Sequence, residues 1–76
     1  MNEYGVEMTP VSSSNIQAIG YDEANQLLYV RFNNNTLYYY QGVPIAEFDG
    51  LQNASSKGSY LNAYIKKGPY QCQRLE

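Results

Sequence analysis

The sequence predicts an α+β domain in which a three-stranded antiparallel β-meander is followed by two short helices packed on one face. Three observations carry this expectation. Residues 27–44 read LLYVRF, then NNN, then TLYYYQGVP, two runs of strand-forming residues around an asparagine cluster, which is the sequence form of a β-hairpin. A short apolar run ends at Asp22, close enough for a tight turn to add it as a neighbouring strand. Beyond Pro44 the apolar spacing lengthens from two residues to three and four, the period of a helix.

Residues 1–10 show no periodicity and are expected to be a flexible lead-in to a single domain over residues 11–74. Leu75 and Glu76 have the look of residues left by a cloning vector and carry no weight in the reading. Residues 11–14 are polar after Val11 and lead into the first strand. That strand, of about six residues, contains Ile16, Ala18 and Ile19 and ends at Gly20, Tyr21 and Asp22; DEANQ (residues 22–26) supplies the turn.

In the hairpin the turn decides which side chains face inward. Asn tolerates the left-handed conformation that a tight turn demands. If Asn33, Asn34 and Asn35 form a three-residue loop with Asn35 left-handed, Phe32 lies opposite Thr36, Val30 opposite Tyr38 and Leu28 opposite Tyr40. A two-residue turn at Asn34 and Asn35 would pair Phe32 with Leu37 and move Tyr39 to that face. The first register is favoured because it puts Arg31 and Tyr39 together on the wetter side.

Gly42 closes the third strand, and Pro44 suits the first turn of a helix, where a missing N–H costs nothing. Ile45, Phe48 and Leu51 make a narrow apolar stripe; Gly50 weakens the helix by roughly 1 kcal/mol relative to Ala, so it should be short. Glu47 and Asp49 lie near its start, where negative charge is favourable, a helix-stabilising role rather than a catalytic one. The second helix has sharper limits. Ser55 or Ser56 caps it, Tyr60, Leu61, Tyr64 and Ile65 share one face, Lys66 and Lys67 occupy the last turn, and Gly68-Pro69 stop it. Residues 70–74 are left open between an extended return to the sheet edge and a free tail. The expected core is Leu28, Val30, Phe32, Tyr38, Tyr40, Phe48, Leu51, Leu61 and Ile65.

Composition narrows the chemistry. Seventy-six residues bury only about 60–65% of the surface of the unfolded chain. There is no His, which removes the commonest general base and most zinc sites. Cys72 stands alone, so there is no disulfide framework, and a single thiol fits a reducing compartment. No apolar run approaches the ~20 residues of a membrane span and no basic-then-apolar leader is present, so a cytoplasmic protein without a membrane partner is expected. Asp22 with Glu23, and Glu47 with Asp49, lack the further oxygen ligands a metal site needs; no metal and no cofactor are expected. Net charge is −2, but four of the five basic residues, Lys57, Lys66, Lys67 and Arg74, fall after residue 50. Nine tyrosines serve a small core as large apolar units, or furnish an exposed binding platform.

The order of short motifs points to a family. Residues 11–16 read VSSSNI, followed by Gly20-Tyr21-Asp22, then Leu28, Val30 and Phe32, then Tyr38 and Tyr40, then Gly42-Val43-Pro44. Ala54, Ser55, Ser56 and Gly58, then Tyr60, Leu61 and Asn62, complete the pattern. From Met8 to about Tyr70 the chain resembles the KTSC domain, named for its place at the C-terminus of some lysyl-tRNA synthetases and found also as small stand-alone bacterial and phage proteins. The resemblance implies a compact α+β fold and an RNA-binding accessory role.

Two function classes are weighed against catalysis. An enzyme would need Cys72 or a serine as nucleophile with no His to activate it; Lys57 beside Ser55 and Ser56 is a Ser–Lys pair on paper only, because neighbours in a capping turn rarely face each other. The chain is therefore expected to be no enzyme. As an RNA module it would use Lys57, Lys66, Lys67 and Arg74 for phosphates and Tyr29, Tyr39 or Tyr70 for base stacking. Serines, a lysine and free N–H groups at residues 55–58 also suit a phosphate, although a serine cap with Gly58 packed against the sheet accounts for them. As a protein-interaction module it would bury exposed tyrosines against a partner.

Overall fold

The computed structural model describes residues 2–3 and 5–76; Met1 and Tyr4 lie outside the described residues, as do the side chains of Asn2 and Glu3. The strands are β1 (Asn2–Glu3), β2 (Val6–Pro10), β3 (Ile16–Asp22), β4 (Leu27–Phe32), β5 (Leu37–Gln41) and β6 (Gln71–Arg74). All neighbours are antiparallel and the order is that of the chain, β1 to β6. Between β5 and β6 lie α1 (Ile45–Asn53) and α2 (Lys57–Tyr60), the latter continued by a π-helical segment, Leu61–Lys66. The expected meander is β3–β4–β5, and its turn is the one favoured. Asn35 has φ 68°, and the Phe32 amide donates to Thr36 O at 2.9 Å. Leu28 pairs with Tyr40 and Val30 with Tyr38. The Asn34 carboxamide oxygen accepts from the Thr36 amide and hydroxyl, which fixes the loop.

The sheet is wider than three strands. Residues 6–10, expected to be lead-in, form β2: Met8–Pro10 pair with β3, while Val6 and Glu7 pair with β1. Only Val6 and Met8 alternate with polar residues, too short a run to show a period, yet both are buried. Residues 71–74 settle as an edge strand on β5 although every one is exposed, so backbone pairing rather than apolar burial places them.

Six of the nine expected core residues, Leu28, Val30, Tyr40, Leu51, Leu61 and Ile65, are buried in one cluster, and Phe32, Tyr38 and Phe48 pack against it. Ile16, Ile19 and Val43 complete it. Ile45 and Tyr64 are corrections: both belong to the expected helical stripes, and both stay exposed, at 46% and 58%. Gly50 has a packing role beyond lowering helix propensity. A Cβ there would collide with the Tyr60 hydroxyl, so the glycine lets the two helices close on each other.

The opposite face of the sheet departs from its expected wetness. Val6, Met8, Ala18, Tyr29 and Leu37 form a second buried cluster, joined by Leu27, Tyr39 and Leu75. Arg31 and Tyr39 do share this face, but Arg31 is covered: its side chain is only 11% exposed and pairs with Glu76 at 2.8 Å. Both chain ends produce this burial, the first through β2 and the second through Leu75, whose amide donates to Leu37 O at 2.7 Å. Leu75 and Glu76, set aside in the sequence, are thus structural.

Candidate functional site

The helix-side face of the hairpin is not wholly covered. Between the end of the π-helical segment and the β4–β5 turn lies a groove of about 650 Å³. Its aromatic wall is Phe32, Tyr38 and Tyr40, side chains that the hairpin register places on one face. Phe32 and Tyr38 meet edge to face, with ring centroids 5.6 Å apart and an interplanar angle of 85°. Lys66 is carried over them by the last helical turn, its ammonium 5.1 Å from the Phe32 ring centre, where the ring's π-cloud attracts it. Asn33, Asn34, Asn15 and Ser14 supply polar groups at the turn end; Tyr70 and Cys72 line the strand β6 side.

The groove walls are braced from behind. Glu47 in α1 accepts from the Tyr60 hydroxyl at 2.7 Å and from the Tyr70 hydroxyl at 3.1 Å, tying both helices to the segment before β6. That hydrogen bond, with some desolvation, pushes the Tyr60 phenol up to about 12. Tyr70 is raised by burial first and by Glu47 second, and Tyr40 is raised by burial and by its bond to Cys72. These phenols stay protonated and remain hydrogen-bond donors at neutral pH.

A second, polar cleft of about 320 Å³ lies where residues 12–14 meet residues 55–57. Ser56 caps α2, accepting from the Ser59 amide at 3.4 Å, and Lys57 donates to Ala54 O at 3.1 Å. A Cβ on Gly58 would run into the Asn15 carboxamide, so the glycine admits the loop before β3, and it is this loop rather than the sheet that packs there.

The residues singled out in the sequence are therefore divided. Lys66 and Tyr70 meet in the groove with Tyr38 and Tyr40, and β6 pairing puts Arg74 on the same face beside Tyr38. Lys67 is exposed past the helix end, and Lys57 belongs to the serine cleft. Tyr29 corrects the expectation of a stacking surface: it is 6% exposed, on the other face, and edge-on to half-buried Tyr39 at 5.8 Å. Packing of Val6, Met8 and Leu75 into that face buries Tyr29 and leaves Tyr39 partly covered. Val43 is buried and its carbonyl accepts from Tyr21 at 2.5 Å, Pro44 stands just before α1, and Asn62 points to solvent. Gly42 has φ 76° at the end of β5. The sequence reading missed Ser14, Asn15, Asn33, Asn34 and Cys72 as groove residues; the serine and asparagine runs were the available signal. No group of three or more metal-ligating side chains occurs among the described residues, and no helix there is long and apolar enough to cross a membrane.

The family model for the KTSC domain matches residues 12–70. The chain belongs to the KTSC domain family. A protein from Tsukamurella paurometabola is 46% identical over 59 residues, covering 78% of this chain and 88% of the relative. An uncharacterised protein from Stutzerimonas stutzeri is 33% identical over 66 residues, with 87% and 93% covered. A lysine–tRNA ligase from a Nostoc species is 36% identical over 60 residues, which are 79% of this chain but 10% of the ligase. The crystal structure of a KTSC domain protein from Yersinia pestis superposes with a TM-score of 0.87 at 37% identity, covering 93% of this chain and 99% of that one. Ser14, Tyr38 and Tyr40, which line the groove, all lie within the stretch that the family model matches.

Proposed function

We propose that this KTSC domain is a non-catalytic cytoplasmic binding module for single-stranded RNA, with an unpaired nucleotide held in the groove of Phe32 and Tyr38. The groove is the observation that carries the reading. Its volume of about 650 Å³ lies within the ~300–1,000 Å³ of small-ligand sites. It joins aromatic rings to carboxamides and to one cation, Lys66. Rings take a base by stacking, worth about 1–3 kcal/mol per base, carboxamides suit base edges, and the ammonium suits a phosphate. The likeness to a stretch of lysine–tRNA ligases supports RNA as the class of partner. A sequence without His, in which Ser56 of the capping turn is engaged in helix capping, supports a module that binds without reacting.

The test is an NMR titration with short single-stranded RNA and with tRNA at low salt. Amides of Asn33, Tyr38 and Lys66 should move, with a log–log salt slope near −2 if about three phosphates are neutralised. Changing Lys66 and Lys67 together to Gln should flatten that slope while the fold persists. No shift with excess RNA overturns the reading. The exposed Ile45 and Tyr64 on the helical layer favour a protein partner as the second reading, which a shallow salt dependence would support.

A further inference from the structure

We propose that the cleft between residues 12–14 and residues 55–57 holds a backbone phosphate of the strand whose base occupies the groove, so that the domain grips a nucleotide step rather than a lone base. This rests on the RNA reading above and extends it. Ser14 lies in the walls of both cavities, so they border each other across one residue. The cleft is lined by five serines and Lys57, with no carboxylate and almost no apolar surface. Phosphate oxygens are acceptors only, and this lining offers hydroxyl donors and a cation.

The groups are not equivalent. Ser13 accepts from the Ile16 amide at 3.3 Å and Ser56 from the Ser59 amide at 3.4 Å, so these two hydroxyls hold the loops in shape. Ser12, Ser14 and Ser55 are exposed and open to a ligand. Lys57 is half-buried and steadied by one bond to Ala54 O, which leaves two of its three N–H donors for a phosphate. The close approach of Asn15 to Gly58 brings the two serine loops side by side. On the far side of Ser14 the groove supplies Asn15 and then the aromatic wall. A strand with a base on Tyr38 and its phosphate at Lys57 would pass over Ser14.

Amide shifts should be followed with adenosine, with inorganic phosphate, and with short single-stranded oligoadenylate. Adenosine should move groove amides alone. Oligoadenylate should move the groove together with Ser12, Ser14, Ser55 and Lys57. Ser12→Ala with Ser55→Ala should weaken oligoadenylate about tenfold, and Lys57→Gln should cut its salt slope by about 0.7; neither should alter adenosine shifts. The two serines are exposed and Lys57→Gln is a separate variant, so loss of folding in one leaves the other to decide. Oligoadenylate shifts confined to the groove, with unchanged affinity in these variants, overturn the phosphate subsite and leave the RNA reading intact. Cleft shifts with inorganic phosphate but not with oligoadenylate overturn it in favour of a free-phosphate site. Silence with every probe overturns both.

Discussion

The two faces of the sheet bury their side chains by different means. On the helix side, Leu28, Val30 and Tyr40 are covered by α1 and α2, elements with apolar faces of their own. On the other side, Ala18, Tyr29 and Leu37 are covered by short stretches from the two ends of the chain: Val6 and Met8 before β3, Leu75 after β6. A chain this short cannot build a third layer, so it spends its ends as a lid. The consequence is a division of labour. The helical cover stops short over Phe32 and Tyr38 and leaves a groove, whereas the chain-end cover seals Tyr29.

The largest test of this comparison removes one fully buried leucine from each face. Leu28→Ala and Leu37→Ala should each cost about 2–5 kcal/mol, read as a lowered midpoint of chemical unfolding. If the faces are one cooperative unit, each variant should show a single transition by both tyrosine fluorescence and circular dichroism. A transition split between probes in Leu37→Ala alone would mean that the chain-end lid opens by itself.

Alkaline titration should act on the helix side. Tyr60 is raised to about 12 from its ordinary value of 10, so the folded state holds this proton more tightly than the unfolded one. The stabilisation is fully present below pH 10 and is lost as pH rises through about 12. Glu47→Gln removes the charge behind the shift, so a phenol should then titrate closer to 10 by phenolate absorbance. An unchanged titration would show that Glu47 is not the cause.

Smaller effects separate the supports of each cover. Ser56→Ala, which removes the cap of α2, should lower stability by roughly 0.5–2 kcal/mol, whereas Ser55→Ala should be near neutral. Glu76→Gln breaks an ion pair with Arg31 that is open to solvent on the Glu76 side; a loss of about 0.2–1 kcal/mol is expected, diminishing with added salt. A salt-insensitive loss would show that the charge of Glu76 is not what the substitution removes.

The helix-side core was legible because strand parity and helical spacing are both periodic signals. Leu28, Val30 and Phe32 share a face by alternation, Leu61 and Ile65 by a step of four, and the asparagine turn set the register between strands. The other face was not, because its cover comes from stretches too short to have a period. Val6 and Met8 are two apolar residues in a polar lead-in, and Leu75 is one. Half the groove was visible as family motif residues and a basic helix end. Its polar rim was not: Asn33 and Asn34 read as turn residues, Ser14 and Asn15 as members of a motif with no assigned role, and only tertiary proximity makes them a wall.

The position of β6 bears on the order in which the molecule folds. Four residues join β3 to β4 and four join β4 to β5, but twenty-nine separate Gln41 from Gln71. Both helices are, topologically, the loop of one wide hairpin. Closing it costs about 2 kcal/mol more in chain entropy than closing either tight turn, a cost met only once α1 and α2 have docked and shortened the gap. The three-stranded meander is therefore expected to form the nucleus, with the pairing of Cys72 opposite Tyr40 following the rate-limiting barrier. Substitutions in β6 should accordingly hasten unfolding and leave refolding rates almost untouched. On that expectation, the side of the groove formed by Tyr70 and Cys72 assembles after the meander and opens before it.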